Sequence, residues 1–349
     1  MVKINKHIEI VRSLAPGLSS MGHKSAIMMK RVLEQQYEQV GISLVSDLSD
    51  LKRLATKQPD LVFLGVKRVP VNSIRPTGAR VWTAAYLDQQ GIAYTGSNAT
   101  AIALDFSKPA AKRLIKASGL NTADYFAARH GEYNAGSVLP LNYPLFVKPP
   151  NTGGGKGIGA DSVVRDFAAF EQKVERIHRD FGTSALVETY LPGREFSVAL
   201  LETLDSDELI AMPIELITEQ NDQGDRILGQ TIKAADTEHA ITVPDGPTKQ
   251  AVVNLAIKAY RALGARDYGR IDIRLDEHGT PHFLEANLIP GLAQHDFTSY
   301  FTTAAWLNQA LDHQSMILHI TELGLSRSLP ITKDLGLLSP AHNPILKIA

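Results

Sequence analysis

The chain has 349 residues, 44% of them hydrophobic, which is enough for a large core and two or three domains. Its 36 basic and 37 acidic residues give a formal net charge of -1, so we expect no binding to nucleic acid or to a membrane surface. The absence of cysteine excludes disulfides, thiolate zinc sites and cysteine nucleophiles, and the lack of a membrane-length apolar run or a secretory signal predicts a cytoplasmic protein.

Residues from about 5 to 105 alternate between strand and helix patterns. An apolar opening runs to Leu14, and helices are predicted over 24–40 and 80–90, each followed by a glycine that favours helix termination. Strands are predicted over 42–45, 61–64 and 92–96. This alternation predicts a small parallel α/β domain.

The rest of the chain continues with mixed patterns. We predict helices over 106–118 and 248–263, and strands over 145–148, 185–188, 195–201 and 209–216. The segment beyond about residue 322 contains several prolines and only weak periodicity, and no function is assigned to it.

A glycine-rich loop follows the strand that ends at Lys148. The loop over 152–159 includes Gly154, Gly155 and Lys156, and it offers unhindered backbone N–H groups and a cation for phosphate oxygens. Its glycines are also compatible with a flexible surface hairpin, because the GxxxxGK[ST] pattern is absent.

Two glutamates, Glu188 and Glu195, flank a predicted turn between strands. One of them could accept a hydrogen bond from an adenine amino group or a ribose hydroxyl. Both could equally be ordinary surface charges.

A predicted hairpin places two carboxylates opposite each other. Segments 269–275 and 281–287 alternate at period two, and a four-residue turn between them pairs Asp272 with Glu285 and Arg270 with Asn287. Opposed like charges repel unless a cation separates them, and carboxylate and amide oxygens suit Mg²⁺. The alternative is a solvated strand pair whose acids splay into water.

A Pro-Gly corner follows directly after Asn287. It allows the backbone N–H of Gly291 to point towards the same pocket.

Together these motifs resemble the ATP-grasp fold, and their order and spacing over about residues 60–300 are similar to D-alanine–D-alanine ligases. The resemblance rests on Lys108, Lys148, the glycine loop, Glu188, Glu195, Lys233, Arg270, Asp272, Glu285, Asn287 and Gly291. It implies an N-terminal Rossmann-like domain over 1–105, a central ATP-grasp subdomain over 106–190, a C-terminal subdomain with the metal and substrate site over 191–322, and a tail.

The resemblance also implies roles for these residues. Lys108, Lys148 and Lys233 would contact ATP phosphates together with the glycine loop, and Glu188 and Glu195 would hold adenine and ribose. Asp272, Glu285 and Asn287 would hold one or two Mg²⁺ ions, for which Mn²⁺ could substitute. Arg270 and the Gly291 N–H would stabilise a developing oxyanion. Judged alone, each lysine could also be a solvated surface charge.

The substrate half departs from the family. Where the family carries a glutamate, an acidic pair, two serines, a tyrosine and a serine, this chain has segment 16–19, segment 78–80, Gly154-Gly155, Ala234 and Asp296. Asp296 would repel the carboxylate of an incoming amino acid, so the nucleophile is expected to be cationic or polyhydroxylated there. Arg80 could bind a carboxylate of the first substrate, or it could be a solvent-exposed arginine.

The expected function is an ATP-dependent carboxylate–amine ligase that forms an amide or peptide bond through an acyl phosphate, with amino-acid-like substrates other than two D-alanines. A D-alanine–D-alanine ligase with a rebuilt pocket and a non-catalytic ATP-binding regulator are the alternatives. The resemblance also implies a homodimer.

Overall fold

The computed structural model describes residues 2–15, 17–73, 78–294 and 299–327. The N-terminal part is built on parallel strands β1 (Ile4–Arg12), β2 (Tyr37–Leu44) and β3 (Leu61–Leu64), with β1 between the other two. The helices of this part are α1 (His23–Leu33), α2 (Leu48–Ala55), α3 (Thr83–Gln89) and α4 (Ala99–Asp105). An antiparallel ribbon of β4 (Arg68–Pro70) and β5 (Arg80–Trp82) precedes α3.

The middle of the chain folds into a small antiparallel sheet covered by a helix. The strands are β6 (Tyr125–Ala128), β7 (Leu145–Lys148), β8 (Val163–Val164) and β9 (Ala185–Thr189), in the order β6-β9-β7-β8, and the helix is α6 (Phe167–Phe181). Helix α5 (Lys108–Ala117) precedes this sheet in the chain but packs its buried face into the core of the larger sheet described next. The side chain of Asp166 caps the N-terminus of α6, and Gly182 ends the helix at a positive φ of 64°. Phe170, Val174 and Ile177 bury the inner face of α6 against this sheet.

The third part is a larger antiparallel sheet with helices on both faces. Its elements are β10 (Glu195–Glu202), β11 (Leu209–Ile217), α7 (Gln230–Ala235), β12 (His239–Thr242), α8 (Pro247–Ala262), β13 (Tyr268–Leu275), β14 (Pro281–Asn287), α9 (Tyr300–Leu307) and α10 (His313–Ser326). The strand order is β12-β11-β10-β13-β14. Side chains of β10 alternate between the faces: Val198 packs with α8, and Ala199 packs with α9.

The N-terminal sheet and the large sheet share one hydrophobic core. Ile8 and Phe63 lie in the same buried cluster as Met212 of β11 and Ile317 of α10. Helix α10 continues past the point where the sequence predicted a tail, and Arg327 at its end donates to the buried carboxylate of Asp267. Within the described ranges, no helix has both the length and the hydrophobicity that a bilayer span requires.

Several predicted boundaries were wrong. The helix predicted over 24–40 ends at Leu33, because Tyr37 is fully buried in strand β2 and its β-propensity, together with that of Val40 and Ile42, favours a strand. Residues 80–82 form β5 instead of the start of a helix. Helices α2 and α4 were not predicted, although each begins at a residue whose side chain caps it, Asp47 and Asn98.

The predicted pairing of the hairpin is confirmed, but the connection differs. Asp272 pairs with Glu285 and Arg270 pairs with Asn287. The loop is one residue longer than predicted, because Leu275 pairs with Pro281, and the register shifts between Asp272 and Ile273. This β-bulge compensates for the extra loop residue and restores the predicted pairs at the end of the hairpin that carries the charged residues.

A buried carboxylate lies within the N-terminal sheet. Glu9 is 3% exposed and accepts hydrogen bonds from Ser43 Oγ at 2.7 Å and from Lys57 Nζ at 3.0 and 3.1 Å. Burial raises the pKa of Glu9, but the hydrogen bonds from Ser43, Lys57 and His7 outweigh it and lower the pKa overall. A Cβ atom at Gly41 would lie 2.2 Å from Glu9 Oε1, so the carboxylate requires glycine there.

Candidate active site

A cleft between the small sheet and the large sheet has an apolar end and a charged end. Its free space is about 740 Å³. Phe146 and Tyr190 lie at the apolar end, with ring centroids 6.5 Å apart and an interplanar angle of 13°. Lys108, Lys148, Lys233, Asp272 and Glu285 line the charged end. We call this the first cleft. An apolar slot that opens onto several cations suits a flat ring attached to a polyanion.

Glu188, Lys148 and Lys112 form a cluster of buried charges, of which Glu188 and Lys148 line the first cleft. Glu188 is 2% exposed, and its two carboxylate oxygens lie 2.8 Å from Lys148 Nζ and 3.0 Å from Lys112 Nζ. Burial raises the pKa of Glu188, but the two lysines outweigh it and lower the pKa overall. Lys112 is fully buried and also donates to Thr122 Oγ1 at 2.8 Å. Glu188 therefore serves as counter-ion to two lysines.

Lys112 is a site residue that the sequence interpretation missed. It lies on α5, four residues after Lys108, so the two lysines share one helix face. Burial lowers the pKa of Lys112, whereas Glu188 raises it. The spacing was visible in the sequence, but nothing in the sequence indicated that this face is buried.

The glycine loop packs against the start of α7. Gly154 and Gly155 have positive φ angles of 65° and 71°. A Cβ atom at Gly155 would lie 2.9 Å from Gln230 N, whereas one at Gly154 would meet nothing within 4 Å. The carbonyl of Thr152 accepts a hydrogen bond from Lys108 Nζ. Lys156 is exposed.

Glu195 of strand β10 and Lys233 of helix α7 both line the first cleft. Glu195 Oε2 lies 2.9 Å from Arg274 on the neighbouring strand β13, and the guanidinium of Arg274 also donates to Arg226 O at 2.8 Å. Burial raises the pKa of Glu195, against the lowering effects of Arg274 and Lys233. Lys233 extends from the short helix α7.

The hairpin carboxylates each have a protein cation. Arg270 donates to both oxygens of Asp272 at 2.9 and 3.0 Å, and Ser197 Oγ donates to Oδ1 at 2.6 Å. Glu285 Oε2 lies 3.0 Å from Lys108 Nζ. Burial raises the pKa of Glu285, but Lys108 and the other nearby lysines outweigh it and lower the pKa to about 2. The repulsion expected between the opposed acids is thus balanced by charges of the chain itself.

The donor chemistry of this cluster fits a hard divalent cation. Asp272, Glu285 and Asn287 supply carboxylate and amide groups from one end of the hairpin, and Asn287 Nδ2 lies 3.4 Å from Asp272 Oδ2. Oxygen ligands of this kind bind Mg²⁺. Within the residues that the structure describes, no group of three or more His, Cys, Asp or Glu side chains converges, so Asn287 would have to be a ligand.

A tyrosine that the sequence interpretation missed lies beside Arg270. The Arg270 Cζ atom is 4.9 Å from the centroid of the Tyr300 ring, and Lys233 Nζ is 5.6 Å from it. The Tyr300 hydroxyl donates to Glu238 Oε1. Burial, followed by this hydrogen bond, raises the pKa of Tyr300, which keeps the phenol protonated. Tyr300 begins α9, and only the fold brings it to the hairpin.

A second cleft adjoins the first and contains about 1440 Å³ of free space. The two clefts share Lys108, Thr152 and Glu285 in their linings. Ser19 and Ser20 line the second cleft together with Arg80, Asn287 and side chains of the β4–β5 ribbon. The two clefts therefore meet at the Lys108–Glu285 ion pair.

The remaining predicted site residues divide into three cases. Gly154 and Lys156 line the second cleft, whereas Gly155 lines the first. Gly291 is not among the described residues that line either cleft, and its carbonyl accepts a hydrogen bond from Ser299 Oγ. Asp296 lies outside the described residues.

Comparison with solved structures identifies the class of fold. D-alanine–D-alanine ligase from Bacillus anthracis complexed with ATP matches with a TM-score of 0.69 and 19% identity, over 92% of this chain and 98% of that chain. The ligase from Coxiella burnetii matches with a TM-score of 0.61 and 18% identity, over 93% and 95% of the two chains. The fold is therefore the ATP-grasp fold of these enzymes, as predicted.

Sequence comparison identifies the family. The model of the D-ala D-ala ligase C-terminus matches residues 114–322, and the chain belongs to this family. The D-alanine–D-alanine ligase of Ralstonia nicotianae is 32% identical over 60% of this chain and 61% of that protein. The ligase of Gloeobacter violaceus is 28% identical over 88% of this chain and 97% of that protein. An uncharacterised protein, y4sG, from Sinorhizobium fredii is 30% identical over 60% of this chain and 61% of its own length.

Proposed function

We propose that the chain is an ATP-dependent carboxylate–amine ligase that forms an amide or peptide bond through an acyl phosphate. The observation that carries this proposal is the meeting of two clefts at Lys108 and Glu285. The first cleft suits a nucleotide, and the second has room for the molecules that receive its terminal phosphoryl group. Phosphoryl transfer requires such a shared boundary, because the reacting atoms must come within about 3.5 Å of each other.

The first cleft would bind ATP with its base at the apolar end, beside the packed rings of Phe146 and Tyr190, and its phosphates near Lys108, Lys148 and Lys233. The N–H groups of the glycine loop would add donors for the phosphates. Glu195 would accept from the ribose, while Glu188 would act mainly by holding Lys148 in place. Asp272, Glu285 and Asn287 would hold Mg²⁺, which would neutralise phosphate charge.

The proposed chemistry has two steps. A carboxylate oxygen of the first substrate attacks the γ-phosphorus, the bond to the β-phosphate oxygen breaks, and ADP leaves. The amine nitrogen of the second substrate then attacks the acyl carbon, the bond to the phosphate oxygen breaks, inorganic phosphate leaves and the nitrogen loses a proton. Negative charge grows on the acyl oxygen in the second step, and Arg270, held by Asp272 and Tyr300, would stabilise it by about 3 kcal/mol.

The substrates are proposed to differ from two D-alanines. Gly154 and Gly155 stand where the family carries two serines, Ala234 stands where it carries a tyrosine, and Arg80 lines the second cleft where it carries acid. The relatives named above are D-alanine–D-alanine ligases, so ligation of D-alanine is the alternative that any test must include. The homodimer and the cytoplasmic location stay predictions.

The test is release of ADP from ATP and Mg²⁺ across a panel of D- and L-amino acids, hydroxy acids and amines, with products identified by mass spectrometry. Arg270→Ala should lower turnover by roughly 100-fold or more while ATP affinity, measured by calorimetry, stays within about threefold. Arg179→Ala, on the exposed face of α6, is the matched control and should leave both unchanged.

ATP binding without ADP release for any acid and amine pair would contradict the ligase and favour the non-catalytic binder. Preferential turnover of D-alanine alone would instead assign the rebuilt D-alanine–D-alanine ligase.

A further inference from the structure

We propose that Asp105 binds the nitrogen of the amine substrate in the second cleft through its Oδ1 atom. This inference rests on the proposed ligase function and adds a residue that determines specificity. Amines reach the cleft mainly as ammonium groups, and a carboxylate binds a charged donor more strongly than a neutral one. Asp105 would therefore select an amine over a hydroxy acid as the second substrate.

Asp105 has one carboxylate oxygen that the described chain leaves without a hydrogen bond. It is the last residue of α4, and its Oδ2 atom accepts from Lys67 Nζ at 2.6 Å and from the Leu288 backbone N–H at 2.9 Å. No hydrogen bond reaches Oδ1 from the residues that the structure describes. A carboxylate offers about four acceptor positions on its two oxygens, so Oδ1 keeps its capacity for a ligand.

The free oxygen belongs to a side chain of the second cleft. Asp105 lines this cleft, and its side chain is only 9% exposed. The described lining contains one other carboxylate, Glu285, which is paired with Lys108 and belongs to the cluster that would hold Mg²⁺. Asp105 is therefore the acid of the described lining that remains for a substrate, and its low exposure strengthens a hydrogen bond to a charged donor.

Two connections place Asp105 on the reacting side of the second cleft. Its Oδ2 atom holds the backbone of Leu288, the residue directly after Asn287. Asp105 also precedes Lys108 by three residues, in the link between α4 and α5. The acyl phosphate would form where the clefts meet, at Lys108 and Glu285, and the attacking nitrogen must be held close to the acyl carbon. This location favours the attacking nitrogen over a remote group of the substrate as the ligand of Oδ1.

Lys67 opposes the binding of a cation to Asp105. Its Nζ atom is 2.6 Å from Oδ2 and 5.6 Å from the centroid of the Phe106 ring, and it compensates part of the carboxylate charge. Removal of the Lys67 charge should therefore strengthen amine binding, whereas removal of the Asp105 charge should weaken it. If the pair only fastened α4 to Leu288, loss of either charge would have the same sign.

The experiment separates the amine step from formation of the acyl phosphate. Hydroxylamine is largely uncharged near neutral pH and converts acyl phosphates to hydroxamates. D- and L-amino acids and hydroxy acids are screened with ATP, Mg²⁺ and hydroxylamine, and the acid that gives a hydroxamate is then paired with primary amines and with hydroxy acids. The wild-type protein should form amides with a kcat/KM roughly 10-fold or more above that for the matched esters.

Two variants isolate the contact. Asp105→Asn keeps an oxygen for Lys67 and Leu288 but replaces Oδ1 with an N–H donor, so kcat/KM for the amine should fall roughly 10- to 100-fold, mainly through KM. Hydroxamate formation should fall by less than about threefold. Lys67→Met should instead lower the KM for the amine roughly two- to tenfold. Arg179→Gln, on the exposed face of α6, is the control for loss of a charge elsewhere.

Direct binding separates this inference from the ligase itself. Ligand-observed NMR with ethylamine and D-alanine amide, in the presence of ADP and Mg²⁺, should detect binding to the wild-type protein and its loss in Asp105→Asn. Equal losses of amide and hydroxamate in Asp105→Asn, or weaker amine binding in Lys67→Met, would overturn the role of Asp105 while the ligase stands. If amines bind in an Asp105-dependent way but no acid gives a hydroxamate, the ligase fails while the amine site stands.

Discussion

The most demanding prediction concerns the buried charges Lys112, Glu188 and Lys148. Replacing Glu188 with glutamine removes the negative charge that lies 2.8 Å from Lys148 Nζ and 3.0 Å from Lys112 Nζ. Two buried ammonium groups then lie beside a neutral amide. Replacing Lys112 with methionine instead leaves Glu188 paired with Lys148 and fills the vacated space with an apolar side chain.

The two variants should lose different amounts of stability, because only Glu188→Gln leaves buried charges without a counter-ion. Removing one partner of a buried ion pair costs about 3–5 kcal/mol in the free energy of unfolding, so Glu188→Gln should lose stability in that range. Lys112→Met loses the ion pair with Glu188 and the hydrogen bond to Thr122, but Glu188 stays paired with Lys148 and no buried charge is left uncompensated, so it should cost less, about 1–2 kcal/mol. The double variant should be more stable than Glu188→Gln alone, because only one uncompensated lysine remains.

Urea unfolding followed by far-ultraviolet circular dichroism measures all three variants. The sign of the pH dependence gives a second check on Glu188→Gln. Without Glu188 the pKa of Lys112 falls further in the folded state, so the unfolded chain binds more protons, and stability should rise with pH from this lowered pKa up to the pKa of about 10.4 of lysine in the unfolded chain. If Glu188→Gln is no less stable than Lys112→Met, or if the double variant is the least stable, the account of Glu188 as a shared counter-ion is wrong.

Three further predictions address the remaining features. The lowered pKa of Glu9 means that its contribution to stability is present above about pH 4.3 and is lost as pH falls through the lower folded-state value, so Glu9→Gln should flatten the acid side of the stability profile in urea unfolding. Gly155→Ala should weaken ATP binding in calorimetry by roughly tenfold or more, since its Cβ would contact the backbone at Gln230. Tyr300→Leu should reduce turnover by roughly 3- to 30-fold, because the ring beside Arg270 is lost, whereas Tyr300→Phe keeps the ring.

Each of these has its own control. Gly154→Ala imposes a similar positive φ but meets no atom within 4 Å, and an equal loss of affinity in both glycine variants would show that backbone strain, not the contact with α7, is responsible. Unchanged acid dependence in Glu9→Gln would mean that other carboxylates dominate. Equal turnover in Tyr300→Leu and Tyr300→Phe would remove the proposed positioning of Arg270.

Local patterns were sufficient to predict the parallel N-terminal sheet and the hairpin that carries Asp272 and Glu285. Apolar runs between helix patterns predicted the N-terminal strands, and alternation at period two predicted the two hairpin strands, whose cross-strand pairs followed from the turn. The end of α1 was misplaced because a helix-compatible polar stretch precedes Tyr37, whose burial depends on a core that the local pattern does not show.

Fewer residues in the interior of the site could be predicted from the sequence. The position of Lys112 four residues after Lys108 decided nothing in the sequence, and only the packing of α5 in the fold makes it a buried partner of Glu188. Tyr300 reaches the site through tertiary packing from a distant segment, and no sequence motif surrounds it. The sequence analysis predicted that a metal ion balances the charges of Asp272 and Glu285. In the structure Arg270 pairs with Asp272, and Lys108 pairs with Glu285.

The bulge in the hairpin separates the pairing of β13 and β14 near the loop from their pairing at the charged end. Because the register changes between Asp272 and Ile273, the loop end and the charged end of the hairpin follow different pairing frames. A one-residue deletion in the loop, accompanied by removal of the bulge at Leu284, would leave Asp272 opposite Glu285. A change of one residue in the length of this turn can therefore be absorbed at the bulge without moving Asp272 away from Glu285.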